Sequence, residues 1–122
     1  MIDFQNASLV KLKEDSATGS MVAPLLMPGE KIIGSYKAMR DGVVFTDKRI
    51  IAVNVQGVTG KKKDFTSLPY SKIQAFSVET AGVFDLDSEL EIYLSSLGKV
   101  KFEFSGKSNI MQIQAIIASF VL

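Results

Sequence analysis

The chain has 122 residues, of which 47% are hydrophobic and 22% charged, and its formal net charge is +1. This length and balance predict one globular domain with its own core, and exclude both a disordered chain and a polycation that binds nucleic acid over its whole surface. Cysteine and histidine are both absent, which excludes disulfides, thiolate nucleophiles, histidine-based catalytic triads and the usual zinc sites.

No segment reaches the ~20 consecutive apolar residues that a membrane-spanning helix needs. The first residues, MIDF, carry an acid where a signal peptide would have lysines. We therefore expect a soluble cytoplasmic protein. No motif indicates a cofactor or a metal, and none indicates an enzyme.

The first 27 residues are predicted to form an extension that precedes a domain at 28–122. Apolar side chains recur at weak helical spacing over residues 1–15, which predicts a short helix. Residues 15–20 have the composition of a linker. Residues 21–27 are apolar and broken by a proline, so this segment should lie on the domain or on a partner.

The segment 42–56, GVVFTDKRIIAVNVQ, contains two β-branched runs on either side of a polar break. This pattern predicts the central antiparallel hairpin of a small sheet. The break is Thr46-Asp47-Lys48, and we expect the Asp47 side chain to accept hydrogen bonds from nearby backbone amides. Arg49 should then lie outside the sheet or along its rim.

Turn signals divide the rest of the first half into short strands. Further strands are predicted at 30–39, 64–68 and 72–80. Residues 40–42 contain Asp-Gly, a strong hairpin dipeptide, and residues 57–63 form a basic loop. Ile73 is out of phase with Phe76 in the strand that follows, and a β-bulge or burial of both faces would reconcile them.

The second half begins with the clearest alternation in the chain. Apolar side chains alternate with polar ones at Leu90, Ile92 and Leu94, and again at Val100, Phe102 and Phe104. A turn sequence separates the two runs, so they predict a half-buried antiparallel hairpin.

The period then changes to that of an amphipathic helix. Ile113, Ile117 and Phe120 recur at helical spacing, and Asn109 is placed to cap the helix, with Gln112 in the capping-box position. We expect the helix to run to the chain end and to bury these three side chains, at roughly 1.5–3 kcal/mol each. About seven strands followed by one helix predict a mainly β fold.

Three short motifs carry a resemblance to a known family. PGEKI at 28–32, FTDKRII at 45–51 and PYSKI at 69–73 occur in an order and spacing that resemble the bacterial pleckstrin-homology-like domain family. The resemblance implies a partly open barrel of about seven antiparallel strands, capped by the C-terminal helix. It further implies adaptor or assembly modules, some of them ring-like homo-oligomers, with no catalytic residues.

Phosphoinositide binding does not transfer with the resemblance. Eukaryotic relatives use a long basic loop between the first two strands, which here is only residues 40–42. The one basic run is Lys61, Lys62 and Lys63, which is a candidate contact for anionic lipid at about 1 kcal/mol per lysine. The alternative is a solvated loop that discourages edge pairing.

Two further groups of residues are candidate surface features. The acidic residues Asp85, Asp87, Glu89 and Glu91 lack the spacing of a calcium loop and suit a solvated strand face. The apolar residues Leu25, Leu26, Phe84 and Leu86 flank predicted loops. Phe84 and Leu86 are expected either to cap the open end of the sheet or, together with Leu25 and Leu26, to form an oligomer interface.

The sequence therefore favours a non-enzymatic module that works by protein–protein contact, as a homo-oligomer or with an unknown protein partner, and without nucleic acid. The alternative is a weak peripheral binder of anionic membrane surfaces through the basic loop.

Overall fold

The computed structural model of the chain describes residues 1–5, 9–106 and 109–122. Within these residues, eight strands form one curled sheet in the order β5-β4-β3-β2-β1-β8-β7-β6. The strands are β1 (Leu9–Glu14), β2 (Ile32–Ala38), β3 (Asp41–Thr46), β4 (Arg49–Gln56), β5 (Lys62–Pro69), β6 (Ala75–Glu79), β7 (Ser88–Leu94) and β8 (Gly98–Phe104). The helices are α1 (Ser16–Val22) and α2 (Ile110–Val121), with short 3-10 helices at Ala23–Leu25 and Tyr70–Lys72.

Strand β1 joins the two halves of the sheet. It pairs antiparallel with β2 and parallel with β8. The helix predicted over residues 1–15 is therefore wrong, although residues 6–8 of that prediction lie outside the described part. The register shifts between Leu9 and Leu12, both buried, and Lys11 between them has a left-handed backbone with φ of 57°. This bulge places two inward side chains three residues apart, a spacing that imitates a helix.

The residues predicted to be a linker instead begin a helix. Asp15 is the N-cap of α1, and its carboxylate accepts hydrogen bonds from the Thr18 amide and hydroxyl at 3.0 and 2.7 Å. Helix α1 packs on the outer face of β2 and β3. The division of the chain at residue 27 concerns independent folding and stays a prediction, which a chain that starts at residue 28 would test.

The central hairpin is confirmed, and it is apolar on both faces. Strands β3 and β4 pair in the register Val43 to Ala52 and Phe45 to Ile50, and these four side chains lie in the main core. The alternate side chains form a second buried cluster under α1, namely Val44, Ile51 and Val53 together with Val22. Because both faces are covered, the two runs are continuously hydrophobic rather than alternating.

Gly42 allows α1 to approach this hairpin closely. A Cβ atom at Gly42 would lie 2.6 Å from both the Thr18 Cγ2 and the Tyr36 carbonyl oxygen. Gly42 lies within β3, so the connection predicted at residues 40–42 is wrong except for Arg40. The chain turns one step earlier, at Met39, whose φ is 53°.

The second half of the sheet follows the predicted alternation. Strands β7 and β8 pair Leu90 with Phe102 and Ile92 with Val100, so the predicted hairpin is confirmed. Strand β6 pairs regularly with β7 from Ala75 onward, without the predicted bulge. Ile73 is buried, and it lies between the 3-10 helix and β6, so its burial does not follow the alternation of the strand.

Helix α2 closes the sheet where β5 and β6 leave it open, packing on the Tyr70–Lys72 helix, β6 and β7. Asn109 caps the helix, its side-chain oxygen accepting from the Gln112 amide at 3.3 Å. Ile113 and Ile117 are buried, as predicted. Phe120 is 45% exposed, so its predicted burial is wrong. Its ring stacks on Tyr70 at 5.3 Å and leaves its other face to solvent.

The predicted architecture, mainly β with a closing C-terminal helix, is confirmed. The strand count in the described residues is eight rather than about seven, because β1 replaces the predicted N-terminal helix.

Candidate functional site

The interior of the curled sheet is filled rather than hollow. Tyr36 and Phe104 contact edge to face at 5.0 Å, and Phe45 and Phe102 do so at 6.1 Å. A crevice between α2 and β2, lined in part by Tyr36, Phe45 and Ile113, holds about 20 Å³, which is room for one water. The described core therefore has no chamber for a substrate.

A buried ion pair connects two of the sequence motifs. The Glu30 side chain is fully buried, and its Oε2 accepts from Arg49 Nε at 3.0 Å and from the Thr46 hydroxyl at 2.7 Å. Its Oε1 accepts from Arg49 Nη2 and from the Met27 amide, both at 3.0 Å. The Arg49 hydrogen bond is the main cause that lowers the pKa of Glu30 from 4.5 to about 2, against the opposing effect of burial.

Arg49 also holds the chain segment before β2 in place. Its Nη2 donates to the Leu25 carbonyl at 2.9 Å, and its Nη1 donates to the Ser67 hydroxyl on β5 at 2.9 Å. The Glu30 carboxylate accepts four hydrogen bonds, and Arg49 donates two more, all within the protein. The cluster therefore links structural elements and presents no reactive group. We expected Arg49 outside the sheet or along its rim, and the sequence did not indicate its buried partner, Glu30.

The turn before Arg49 is closed by a different side chain from the one predicted. The Thr46 hydroxyl accepts from the Lys48 and Arg49 amides, each at 3.0 Å. Asp47 instead accepts from the distant Lys31 amide at 3.0 Å. The motifs at 28–32 and 45–51 are therefore two halves of one cluster, a relation that their separation in sequence conceals.

The basic run lies at one end of the sheet, next to exposed apolar side chains. Lys61, Lys62 and Lys63 are all exposed, and the last two begin β5. The Arg40 guanidinium in the β2–β3 turn donates to the Gly57 carbonyl and so joins that turn to the β4–β5 loop. Met39 and Val58, at the tips of these two segments, are exposed by 94% and 105%.

The predicted apolar candidates are divided between the surface and the domain. The loop of residues 80–87, between β6 and β7, exposes Phe84 by 99% and Leu86 by 62%. They do not cap the open end of the sheet, which α2 closes. Leu25 is 44% exposed, whereas Leu26 is half-buried against the cluster under α1.

Three of the four acidic residues, Asp87, Glu89 and Glu91, contact lysines, whereas the Asp85 side chain accepts from the Asp87 amide at 3.1 Å. Asp87 Oδ2 lies 3.3 Å from Lys11 Nζ, and Glu89 Oε1 lies 3.2 Å from Lys101 Nζ. The hydrogen bond from Lys11 is the main cause that lowers the pKa of Asp87. The pKa of Glu103 is raised, first by burial and then by the neighbouring Asp87 carboxylate. No group of three or more potential metal ligands occurs in the described residues. Nor does the described part contain a helix with the length and apolar character needed to cross a membrane.

The fold and motifs define a bacterial pleckstrin-homology module. A family model described as "Bacterial PH domain" matches residues 3–121, and the chain belongs to this family. The predicted resemblance is thus confirmed.

One protein of Bacillus subtilis and two solved structures match most of the chain. The chain is 48% identical over 106 residues to the "Uncharacterized protein YjqA" of Bacillus subtilis (strain 168), covering 85% of each chain. It resembles the crystal structure of a DUF1696 family protein with a pleckstrin-homology domain from Shewanella loihica PV-4, at 36% identity and a TM-score of 0.74, over 95% of this chain and 100% of that one. A pleckstrin homology domain from Shewanella amazonensis SB2B matches at 40% identity and a TM-score of 0.63, over 96% and 93% of the two chains.

Proposed function

We propose that this protein is a non-enzymatic binding and assembly module that acts through contacts between protein surfaces and associates with further copies of itself. The observation that carries the proposal is the loop of residues 80–87, in which Val83, Phe84 and Leu86 are exposed by 85%, 99% and 62%. Apolar side chains grouped at a surface usually mark an interface, because leaving them in water is unfavourable.

The filled interior supports the same function. A core closed by α2 and packed with aromatic rings leaves outer surfaces as the places where a partner binds. Leu25 and Met27, exposed by 44% and 58%, offer a second apolar contact for another copy or for a different protein. We place this action in the cytoplasm, with which a cysteine-free chain is compatible.

Sedimentation velocity on paired variants tests this function. We expect wild-type protein to associate at micromolar concentration and the Phe84→Ser/Leu86→Ser variant to sediment as a monomer. Val58→Ser is the matched control, because Val58 is equally exposed on a loop at the basic end of the sheet. A circular dichroism spectrum checks that each variant is folded. A wild-type protein that stays monomeric throughout the micromolar range would contradict the proposal.

One observation favours a second candidate, weak binding to anionic membrane. Met39 and Val58 project beside Arg40 and the three lysines at 61–63, so apolar and cationic groups share one end of the molecule. Each lysine is worth about 1 kcal/mol near an anionic surface, whereas lipid-binding clusters usually contain four to eight basic residues.

Liposome flotation separates this candidate from the first. Binding to phosphatidylserine vesicles that disappears in high salt, and in a variant with Lys61, Lys62 and Lys63 changed to serine, would support it. Equal recovery of wild type and variant with these vesicles would exclude it.

A further inference from the structure

The crevice between α2 and β2 opens to the surface between half-buried and exposed side chains. Its inner walls are the buried Phe45 on β3 and the buried Ile113 on α2. Ile33, which is 38% exposed, and Gln112, which is exposed, line it nearer to solvent. Because the core holds its inner walls in place, the crevice is pre-formed in the free protein.

A glycine keeps the mouth of this crevice open. A Cβ atom at Gly34 would lie 3.1 Å from Cε2 and 3.2 Å from the hydroxyl oxygen of Tyr36, so a larger residue would crowd the Tyr36 ring. The register of β2 against β3 also shifts between Ile32 and Gly34, which makes Ile33 the extra residue of a bulge. Glycines and bulges inside strands often mark places where a ligand or another chain approaches closely.

The Tyr36 hydroxyl is an unused hydrogen-bond donor beside Gly34. Tyr36 is only 5% exposed, and its ring packs edge to face on Phe104 at 5.0 Å. Within the described residues its hydroxyl makes no hydrogen bond, whereas the buried Tyr70 hydroxyl donates to the Thr46 carbonyl at 2.7 Å. Buried tyrosine hydroxyls usually have a partner. Burial is the main cause that raises the pKa of Tyr36, so the hydroxyl keeps its proton and is a donor at neutral pH.

The size and charge of the crevice restrict what it accepts. Its volume of about 20 Å³ is room for one water or for a methyl group of similar size. Sites for whole small molecules usually hold roughly 300–1,000 Å³. None of the described side chains that line the crevice is charged, so a phosphate or carboxylate would find no counter-charge there. The group that fits is therefore neutral and apolar, and belongs to a larger molecule that stays outside.

We propose that this crevice receives one aliphatic side chain from an exposed segment of a different protein, and that the Tyr36 hydroxyl donates to a backbone carbonyl beside that side chain. A polypeptide carries an aliphatic group and a carbonyl acceptor within one residue, which matches the apolar walls and the unused donor. The inference rests on the proposed action through protein contacts, and it does not require association with further copies of this chain.

The contact combines two favourable changes. The end of the aliphatic side chain leaves water for walls that are already in place, as side chains do at the centre of many protein interfaces. The Tyr36 hydroxyl gains the partner that it lacks in the described part of the free chain. The hydroxyl therefore contributes to binding without contributing to the stability of the free protein.

A nuclear magnetic resonance titration with N-acetyl-leucine-N-methylamide tests the proposal, because this probe carries one aliphatic side chain between two carbonyls. We expect saturable shifts of the backbone amides in residues 33–36 and 112–116 at millimolar probe concentration. N-acetyl-glycine-N-methylamide, the same backbone without a side chain, should leave these amides unshifted. Gly34→Ala narrows the mouth and should weaken binding of the leucine probe.

The Tyr36→Phe variant tests the hydroxyl itself. We expect it to bind the leucine probe about fivefold more weakly than wild type, the loss of one neutral hydrogen bond. It should nevertheless unfold at the same urea concentration as wild type, because the removed hydroxyl has no partner in the described residues. Tyr93→Phe is the matched control, since Tyr93 is 47% exposed on β7 and does not line this crevice, and it should bind the probe like wild type.

The outcomes separate this inference from self-association. Shifts that do not saturate, equal shifts with the glycine probe, or equal affinities of Tyr36→Phe and wild type would overturn the inference. The Phe84→Ser/Leu86→Ser variant should bind the leucine probe like wild type. If wild type associates but does not bind the probe, the crevice is not a contact site and the assembly function stands. If wild type binds the probe as expected and never associates, the crevice stands and self-association fails.

Discussion

The ion pair between Glu30 and Arg49 gives the sharpest prediction about stability. Replacing Glu30 by glutamine keeps the shape of the side chain and removes its charge, which leaves the Arg49 guanidinium without its buried counter-ion. The same change turns one carboxylate oxygen into an amide nitrogen, so either the Thr46 hydroxyl or the Met27 amide loses its acceptor. We expect β2, the β3–β4 turn and the segment around Leu25 to be held less tightly.

The magnitude follows from the pKa of Glu30, which is about 2 in the folded protein against an ordinary value of 4.5. Each tenfold change in acidity corresponds to about 1.4 kcal/mol, so the ionised carboxylate contributes about 3 kcal/mol to the free energy of unfolding. That value agrees with the roughly 3–5 kcal/mol lost when one partner of a buried ion pair is removed. Because the folded pKa is depressed, this contribution is fully present above pH 4.5 and is lost as the pH falls toward about 2.

Urea unfolding at a series of pH values measures this contribution. We expect Glu30→Gln to be less stable than wild type by about 3 kcal/mol at neutral pH, with the difference shrinking below pH 4.5. Glu14→Gln is the control, because Glu14 is exposed and should change stability by less than about 0.5 kcal/mol. A Glu30→Gln protein as stable as wild type at neutral pH, or a difference that does not depend on pH, would refute the reasoning.

Three further predictions use the same unfolding assay or a solubility measurement. Gly42→Ala should lower the free energy of unfolding by about 1–3 kcal/mol, because the added methyl group overpacks against α1. Gly82→Ala is the control and should be near neutral, because its added Cβ would have its nearest contact at an ordinary 3.6 Å. Equal stabilities of the two variants would contradict the close approach of α1. Ile117→Ala should lower the free energy of unfolding by about 2–5 kcal/mol. A chain that ends at Gly106 should be insoluble, because α2 no longer covers the core. A soluble, folded truncation would show that α2 is dispensable. Tyr70→Phe should lower the free energy of unfolding by about 1 kcal/mol, because it removes the 2.7 Å hydrogen bond from the Tyr70 hydroxyl to the Thr46 carbonyl. An unchanged stability would argue against that bond.

Elements with an uninterrupted period were predictable from the sequence. The β7–β8 hairpin alternates strictly, and α2 repeats isoleucines at helical spacing after a capping asparagine. In both cases one face is buried throughout, so the pattern in sequence is the pattern of burial. Phe120 departs from it, because its ring stacks on Tyr70 and stays 45% exposed.

Elements shaped by an irregularity or by distant residues were not predictable. The bulge at Lys11 gives β1 the spacing of a helix, and the left-handed Met39 moves a turn away from its Asp-Gly signal. The partnership of Glu30 with Arg49 joins residues 19 positions apart, and no local pattern encodes it. The sequence left open whether Phe84 caps the sheet or lies on its surface, because its exposure depends on strand order across the whole sheet.

The claim that this protein associates through the loop of residues 80–87 is tested most directly by hydrogen exchange on the wild-type chain at low and at high micromolar concentration. We predict that exchange slows with concentration in residues 80–87 and stays unchanged in the loop of residues 57–63. Exchange that is independent of concentration, or that slows only in residues 57–63, would contradict it.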